Sequence, residues 1–256
     1  GKNPHDPILV GASISLTGTY REPSKNIHDA YRLWEKKVNE RGGLLGRPVE
    51  LKIVNDESTK SRARAAYKSF FEEEKVDLVL SPYGTPLTLA ASEITEKHEH
   101  VLIAAAAAGE RIWNRGYSYV FGMYASAERF FIGFLDLCAR EQIDGVSILY
   151  EKNPFNKDAA NGAHLWAGRM GIETVRLFGF EPGGKDLDFI WPHVQWQESE
   201  ALIVCSSPPA GYRVLSKLEE SSYSPDAVAM TITPVEPDFP AKAGEKMAEG
   251  IFAPSI

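Results

Sequence analysis

Residues Lys75–Ser92 have the sequence KVDLVLSPYGTPLTLAAS, which contains the pattern that decides the fold. The apolar run over residues 76–80 has the length of a buried strand. Pro82 ends it, because proline has no N–H for a sheet ladder. Thr85 suits an N-cap and Pro86 suits the first helical position, so a helix is predicted to begin there. A helix that starts just beyond the carboxyl end of a parallel strand presents free N–H groups and a positive dipole end, which favour an anion.

The same alternation of strand and helix extends outward along the whole chain. Strands are predicted at Ile8–Leu16, Val49–Ile53, His100–Ala108, Val146–Tyr150, Thr174–Phe180, Ala201–Cys205 and Ala227–Thr231, and extended segments at Gly116–Met123 and Gly250–Ala253. Helices are expected between them, with Arg21–Lys25 left as a loop, one helix over Ser126–Arg140 and another over Ala159–Met170. Strict alternation favours parallel sheets with helices on both faces. Because two such blocks follow one another, we predict two α/β lobes that join near Phe121–Ala125.

Composition limits the kinds of partner. The 256 residues are 43% hydrophobic and 25% charged, which is ordinary for a soluble globular protein. A formal net charge of −7 argues against a nucleic-acid partner, which would need a basic face. No apolar run reaches the roughly 18 residues of a membrane span, and no signal peptide is visible. Cys138 and Cys205 are too few for a disulfide framework or a zinc site.

One motif comes near to a nucleotide-binding pattern. Gly179–Asp186 (GFEPGGKD) resembles the phosphate-binding loop GxxxxGK[ST], but Asp186 replaces the required hydroxyl and adds a negative charge. The sequence therefore predicts a Pro-Gly-Gly turn with Asp186 as a helix cap. No nucleophile elbow, zinc-protease motif or paired acid and base is present, so we predict neither an enzyme nor a cofactor.

Loops at the carboxyl ends of the predicted strands carry more information. They are rich in hydroxyl, aromatic and small residues, and they comprise Thr17–Tyr20, Tyr83–Thr88, Ala105–Gly109, Asn153–Asn156 and Ser206–Pro209. Each loop alone is most simply a turn or a cap. Parallel sheets bind ligands at this edge, so the group together favours a site for a small polar ligand.

The order of motifs resembles type I periplasmic solute-binding proteins, most closely the branched-chain amino-acid-binding family that serves ABC importers. The resemblance rests on GASISLTGTY, ERGGLLGRPVELKIVND, SPYGTPLTLAAS, HVLIAAAAA and RGYSYVFGM, and it is strongest up to about residue 125. It implies two Rossmann-like lobes with parallel sheets, with the ligand in the cleft between them. We expect lobes at residues 1–121 and 122–249, with 250–256 starting a crossover back to the first lobe. Family members continue beyond GIFAPSI, so part of the C-terminal region is expected to be missing.

The resemblance also implies ligand-binding residues. Thr85 and Thr88 match the motif that grips a ligand carboxylate, and Ala106 and Ala108 match the strand end that adds backbone groups. Phe155 matches the covering aromatic of the second lobe, and Ser207 lies in the next contributing loop. Tyr20, Tyr83 and Tyr124 could complete an aromatic pocket with Phe155. Thr231–Pro234 contains no acidic residue where amino-acid binders hold the α-ammonium group.

These implications predict an extracytoplasmic solute-binding protein of an ABC importer. Its solute would be a small molecule with a carboxylate or an amide, such as an amino acid or an aromatic acid. The expected partners are that solute and a membrane permease, and the expected state is a monomer in the periplasm, with the leader absent from this chain. Two alternatives remain open: a ligand-sensing receptor domain of a signalling protein, and a hydrolase on an α/β scaffold, which no motif supports.

Overall fold

The computed structural model describes residues 6–254, apart from the side chain of residue 175. The chain divides into two compact units, Gly1–Tyr124 and Ala125–Ile256. Each unit contains one five-stranded sheet in which every pair of neighbours is parallel, so the predicted α/β class is confirmed. The finer boundaries predicted at 121, 249 and 250 stay predictions.

The first unit alternates strands and helices from its start. Its elements are β1 (Ile8–Ile14), α1 (Arg21–Glu40), β2 (Val49–Asn55), α2 (Lys60–Glu72), β3 (Leu78–Leu80), α3 (Thr85–Lys97), β4 (Leu102–Ala104) and β5 (Val120–Gly122). The strand order is β2-β1-β3-β4-β5. Tyr67 and Phe70 of α2 pack in a core cluster with Val79 of β3, whereas Tyr31 of α1 packs with Val10 and Ile14 of β1. The sheet therefore buries apolar residues on both faces, as parallel sheets require.

Two predictions for the first unit are wrong in their bounds. Helix α1 begins at Arg21, where a loop was predicted, because Pro23 lies in the first turn, in which a missing N–H costs little. Strand β4 ends at Ala104, although the prediction extended it to Ala108. The N–H of Ala105 turns back to the carbonyl of Ile103, so the remaining alanines form a loop at the carboxyl edge of the sheet.

The second unit repeats the alternation. Its elements are α4 (Ile132–Arg140), β6 (Gly145–Glu151), α5 (Pro154–Arg169), β7 (Glu173–Phe180), α6 (Leu187–Trp196), β8 (Ala201–Cys205), α7 (Pro208–Glu220), β9 (Ala227–Met230), α8 (Phe239–Ala243), α9 (Glu245–Ala248) and β10 (Ile251–Phe252). The strand order is β10-β9-β8-β6-β7. Every residue of β8 is buried, as expected for the central strand of a sheet that is covered on both faces.

Helix boundaries in the second unit also differ from the prediction. A 3-10 turn over Ala127–Arg129 precedes α4, so the segment predicted as one helix is two. Helix α5 begins at Pro154 rather than at residue 159, because Asn153 caps it by accepting a 2.9 Å hydrogen bond from the N–H of Asn156. Pro182–Gly184 forms a 3-10 turn that the Asp186 carboxylate closes through the N–H of Glu181 at 2.7 Å. No helix in the described part of the chain is long and apolar enough to cross a bilayer.

Candidate functional site

The start of α3 lies at the carboxyl edge of the first sheet, but its cap differs from the prediction. Gly84 is the N-cap, and Thr85 is the first helical residue. Gly84 has φ +78°, a left-handed conformation that glycine adopts readily because it lacks a Cβ. Its N–H donates a 2.8 Å hydrogen bond to the carbonyl of Ala106. The helix start is thereby joined to the loop after β4.

The two predicted threonines are both buried, and their hydroxyls are used differently. Thr85 is 1% exposed, and its Oγ1 accepts a 3.0 Å hydrogen bond from the N–H of Gly109, so its proton remains available to an acceptor. The Thr88 hydroxyl donates to the carbonyl of Pro82 at 3.3 Å. Of the two, only Thr85 can donate to a ligand without giving up a bond within the unit.

Backbone donors are also present at this helix end. Pro86 has no N–H, and the N–H of Thr88 donates to the carbonyl of Gly84 at 3.1 Å, which is the first bond of the helix. The amides of Thr85 and Leu87 lie before that bond, at positions where a helix has no acceptor of its own. These two amides and the Thr85 hydroxyl are three donors at a positive dipole end, an arrangement that suits a carboxylate.

The alanines after β4 are buried beside this helix start. Ala106 and Ala108 are 7% and 4% exposed. The carbonyl of Ala106 is engaged by Gly84, so its role in the structure is to hold the loop against α3. Methyl side chains let the two segments approach closely without adding a hydroxyl.

The predicted tyrosines of the first unit do not all meet. The rings of Tyr20 and Tyr83 lie 6.0 Å apart at a tilt of 56° and are both half-buried. Tyr124 interacts electrostatically with Tyr31. Burial raises the pKa of Tyr31, and the nearby Tyr124 raises it further. The structure therefore brings together two of the three aromatic residues proposed for this unit.

The second unit contains a buried carboxylate that the sequence analysis missed. Glu151 ends β6 and is 4% exposed. Its Oε1 accepts from the N–H of Gly183 at 2.8 Å, and its Oε2 accepts from the N–H of Ser207 at 2.6 Å and from Nδ2 of Asn156 at 3.4 Å. Acidic residues are seldom this buried without partners. Its position immediately after the apolar run VSILY was the available signal.

Phe155 and Ser207 occupy helix starts at the same edge of the second sheet. Phe155 lies in the first turn of α5, half-buried, with its ring edge-to-face against Phe130 at 5.6 Å. Ser207 is the N-cap of α7, but its hydroxyl makes no capping bond. The N–H of Ser207 donates to Glu151, so only the side chain of Ser207 is available to a ligand.

Glu236 and Asp238, the first two acidic residues after β9, are already engaged within the unit. Glu236 Oε2 accepts from the Tyr212 hydroxyl at 2.9 Å and lies 3.6 Å from Lys242 Nζ. Asp238 pairs with the same lysine at 3.0 Å. Burial and the hydrogen bond to Glu236 both raise the pKa of Tyr212, so this hydroxyl stays protonated as a donor. In the described residues, no three His, Cys, Asp or Glu side chains converge as a metal site.

Comparison with known families decides the broad class of the chain. The profile of the periplasmic binding protein family matches residues 7–255. This chain belongs to that family. Its members are extracytoplasmic solute carriers and not enzymes, and the predicted resemblance is confirmed.

The chain is similar to known proteins at low sequence identity. A Leu/Ile/Val-binding protein from Rhizobium johnstonii is 17% identical over 84% of this chain and 59% of its own length. A solute-binding protein of an ABC transporter from Rhodopseudomonas palustris BisB5, solved with 3,4-dihydroxybenzoic acid, has a TM-score of 0.75 at 19% identity, covering 89% of this chain and 62% of that one. An ABC transporter substrate-binding protein from Desulfitobacterium hafniense, solved with Leu, has a TM-score of 0.73 at 16% identity, covering 96% of this chain and 79% of that one.

The chain spans 57–59% of the length of the curated relatives it matches. Within this periplasmic binding protein chain, each unit has a candidate ligand-binding edge at the carboxyl ends of its own strands. The first edge offers hydrogen-bond donors at α3 and the second offers Phe155 and Ser207. Ligand contact remains a prediction for each of the nine residues named from the sequence.

Proposed function

We propose that the chain is the extracytoplasmic solute-binding component of an ABC importer and binds a small solute through a carboxylate. The observation that carries this proposal is the buried hydroxyl of Thr85. It accepts from Gly109, and in the described part of the chain no protein group accepts its proton. Buried donors are rarely left unpaired, so a ligand oxygen is the expected acceptor.

An aromatic acid fits the proposed site better than an α-amino acid. An α-ammonium group needs a carboxylate or several neutral acceptors. Glu236 and Asp238 are paired with Lys242, and Glu151 is surrounded by three N–H donors. The pair Tyr20–Tyr83 in the first unit and the pair Phe130–Phe155 in the second each offer aromatic surface that suits offset or edge-to-face contact with a ring. Two structural neighbours have been solved with 3,4-dihydroxybenzoic acid and with Leu. Aromatic acids and amino acids are therefore both worth testing as solutes.

Titration calorimetry on the intact gene product tests the proposal. The panel is benzoate, 3,4-dihydroxybenzoate, benzamide and L-leucine. We expect the aromatic carboxylates to bind more tightly than L-leucine. Thr85→Val, which removes the hydroxyl but keeps the shape, should weaken binding by about 1–3 kcal/mol, while Thr85→Ser should restore most of it.

A matched control separates binding from folding. Thr95→Val removes a buried hydroxyl from the same helix, where it donates to the carbonyl of Ser92 at 3.3 Å. Binding to Thr95→Val should match the wild type even if its stability falls. Equal affinity of wild type and Thr85→Val for every bound carboxylate would remove Thr85 from the site, and no binding by the whole panel would refute the solute class.

The remaining parts of the proposal concern partners and location. We propose a membrane permease as the protein partner, a monomeric state and residence outside the cytoplasm, on the strength of the family alone. Sedimentation of the intact gene product tests the oligomeric state. Uptake of the calorimetrically identified solute in cells with and without the gene tests the importer role.

A further inference from the structure

A groove on the first unit lies on a different face of α3 from the candidate site. It encloses about 390 Å³ and is lined on α3 by Pro86, Leu89 and Glu93, which recur at helical spacing. Thr88 and Thr95, by contrast, point into the unit and are fully buried. The groove is therefore separate from the donors around Thr85.

The charge of the groove is opposite to that of the chain. Four basic residues line it, namely Lys60, Arg64, Arg111 and Arg115, and Glu93 is the one acidic lining residue. An excess of three positive charges is concentrated here on a chain whose formal net charge is −7. Lys60 also begins α2 and Pro86 lies in the first turn of α3, so two positive helix ends add to the local potential.

Two of the arginines are held in place. Nε and Nη2 of Arg64 lie 2.8 Å and 2.7 Å from Oε2 of Glu93. Arg115 lies over the ring of Tyr117 at 4.2 Å and donates to the carbonyl of Leu89 at 3.3 Å. These contacts give the groove a defined wall, since a guanidinium that is already held in place loses little freedom on binding.

The other two basic residues form no ion pair in the described part of the chain. Lys60 and Arg111 are exposed, and neither has a carboxylate at ion-pair distance in the described part of the chain. Both line the groove as exposed residues, whereas Pro86 and Leu89, which are half-buried, form part of its floor. An apolar floor between unpaired cations matches an apolar group that has carboxylates on either side of it.

We propose that this groove docks a segment of a partner protein in which carboxylates flank one apolar side chain. A flat bilayer surface cannot reach the floor of a concave groove. A free small anion would gain little, because each exposed ion pair is worth at most about 1 kcal/mol. A protein segment adds packing on the floor and surrounding contacts that exclude water, which makes the charges more effective. The inference goes beyond the proposed function and depends on no particular solute.

Fluorescence anisotropy of a labelled peptide tests the proposal on the intact gene product. The probe is the blocked peptide Glu-Asp-Leu-Glu-Asp, and its neutral counterpart is Gln-Asn-Leu-Gln-Asn. We expect saturable binding of the acidic peptide that is lost in about 0.5 M salt, because screening removes attraction between exposed charges. The double variant Lys60→Glu/Arg111→Glu should bind it at least about tenfold more weakly.

A second double variant controls for overall charge. Lys25→Glu/Arg41→Glu makes the same change in net charge at two exposed positions on and just after α1 of the same unit. It should bind the acidic peptide like the wild type. Equal weakening by both double variants would refute the groove as the site, and so would failure of the acidic peptide to bind.

Two further outcomes would also overturn the proposal. Displacement of the peptide by equimolar citrate would indicate a small-anion site. Groove-dependent binding to phosphatidylglycerol vesicles without peptide binding would indicate a membrane surface. The solute affinity of Lys60→Glu/Arg111→Glu, measured by calorimetry, should equal that of the wild type. Loss of peptide binding and loss of solute binding can therefore be told apart.

Discussion

The backbone N–H of Ser207 donates a 2.6 Å hydrogen bond to Oε2 of Glu151, 56 positions earlier in the chain. The other carboxylate oxygen accepts from Gly183, so one buried side chain joins the loops that follow β6, β7 and β8. A carboxylate at this point also occupies the N-terminus of α7, where an external anion would otherwise be favoured. The edge of the second sheet is therefore organised around an internal anion, whereas α3 of the first unit keeps its donors.

Replacing this carboxylate should loosen all three loops. Glu151→Gln keeps the shape but has one acceptor, so its NH₂ group must face a backbone N–H. We expect a loss of roughly 1–3 kcal/mol in the free energy of unfolding, measured with urea. Glu181→Gln, which breaks an exposed pair with Lys152, is the control and should change stability little. Equal stability of Glu151→Gln and wild type would contradict a structural role for Glu151.

Two glycines of α5 should respond in opposite ways to the same substitution. A Cβ on Gly162 would lie 2.2 Å from the Cα and carbonyl oxygen of Glu128, whereas a Cβ on Gly168 would meet nothing within 4 Å. We expect Gly162→Ala to destabilise the protein by about 1–3 kcal/mol or more, because backbone must move. Gly168→Ala should stabilise it by roughly 0.5–1 kcal/mol, as alanine favours a helix. Thermal unfolding measures both, and a stabilised Gly162→Ala would show that the contact is not tight.

The two threonines of α3 should differ in their effect on solute binding. The Thr88 hydroxyl donates to Pro82 within the unit, while the Thr85 proton has no protein acceptor in the described part of the chain. Thr88→Val should therefore weaken binding of the aromatic carboxylate less than Thr85→Val, and should lower stability instead. Calorimetry and urea unfolding on the two variants check this order. A larger binding loss in Thr88→Val would indicate that Thr88 is the residue that meets the ligand.

The free energy of unfolding should fall at high pH because the buried thiol of Cys138 resists ionisation in the folded state. Burial raises the pKa of this thiol from 9.0 to about 11. The unfolded chain releases the proton near pH 9, while the folded chain keeps it until about pH 11, so the stabilisation present below pH 9 is lost as the pH rises between these values. The loss amounts to about 2–3 kcal/mol by pH 11.

Urea unfolding of wild type and Cys138→Ala across pH 8–11, with a reductant, measures this contribution. Cys138→Ala should lose less stability than the wild type over the same range. Burial also raises the pKa of Cys205. The resulting loss of stability at high pH is the same in both proteins, so it cancels in the comparison. Parallel pH profiles of the two proteins would contradict the assignment to Cys138.

Much of the fold could be predicted from periodicity. The apolar runs of β6 and β8 and the proline at the start of α3 are local signals, and the structure confirms a strand or helix at each. Boundaries failed where a local signal was ambiguous. The run Ala104–Ala108 lacks the β-branched side chains that favour a strand, and only its first residue pairs in the sheet.

The candidate site was less accessible from sequence. Motif order led to Thr85 and Phe155, but it did not show that Gly84 is the cap, that Thr85 bonds to Gly109 or that Glu151 is buried. Each of these facts depends on a hydrogen bond between residues distant in the chain, from Gly84 to Ala106, from Gly109 to Thr85, and from Gly183 and Ser207 to Glu151. A hydrogen bond of this kind leaves no spacing pattern, because either partner alone is compatible with a surface loop.

The sequence by itself determined the α/β class, the parallel sheets and the family, because strand and helix periodicities and turn residues act over a few positions. The tertiary structure decided which polar groups are already paired. Among the described residues, Glu151, Glu236 and Thr88 are paired within their units. The proton of the Thr85 hydroxyl has no protein acceptor there, and the exposed Lys60 and Arg111 have no carboxylate partner. For Thr85 this distinction has an energetic consequence, because a donor that is buried away from water must find an acceptor, and only the packing of the chain shows which donors are buried.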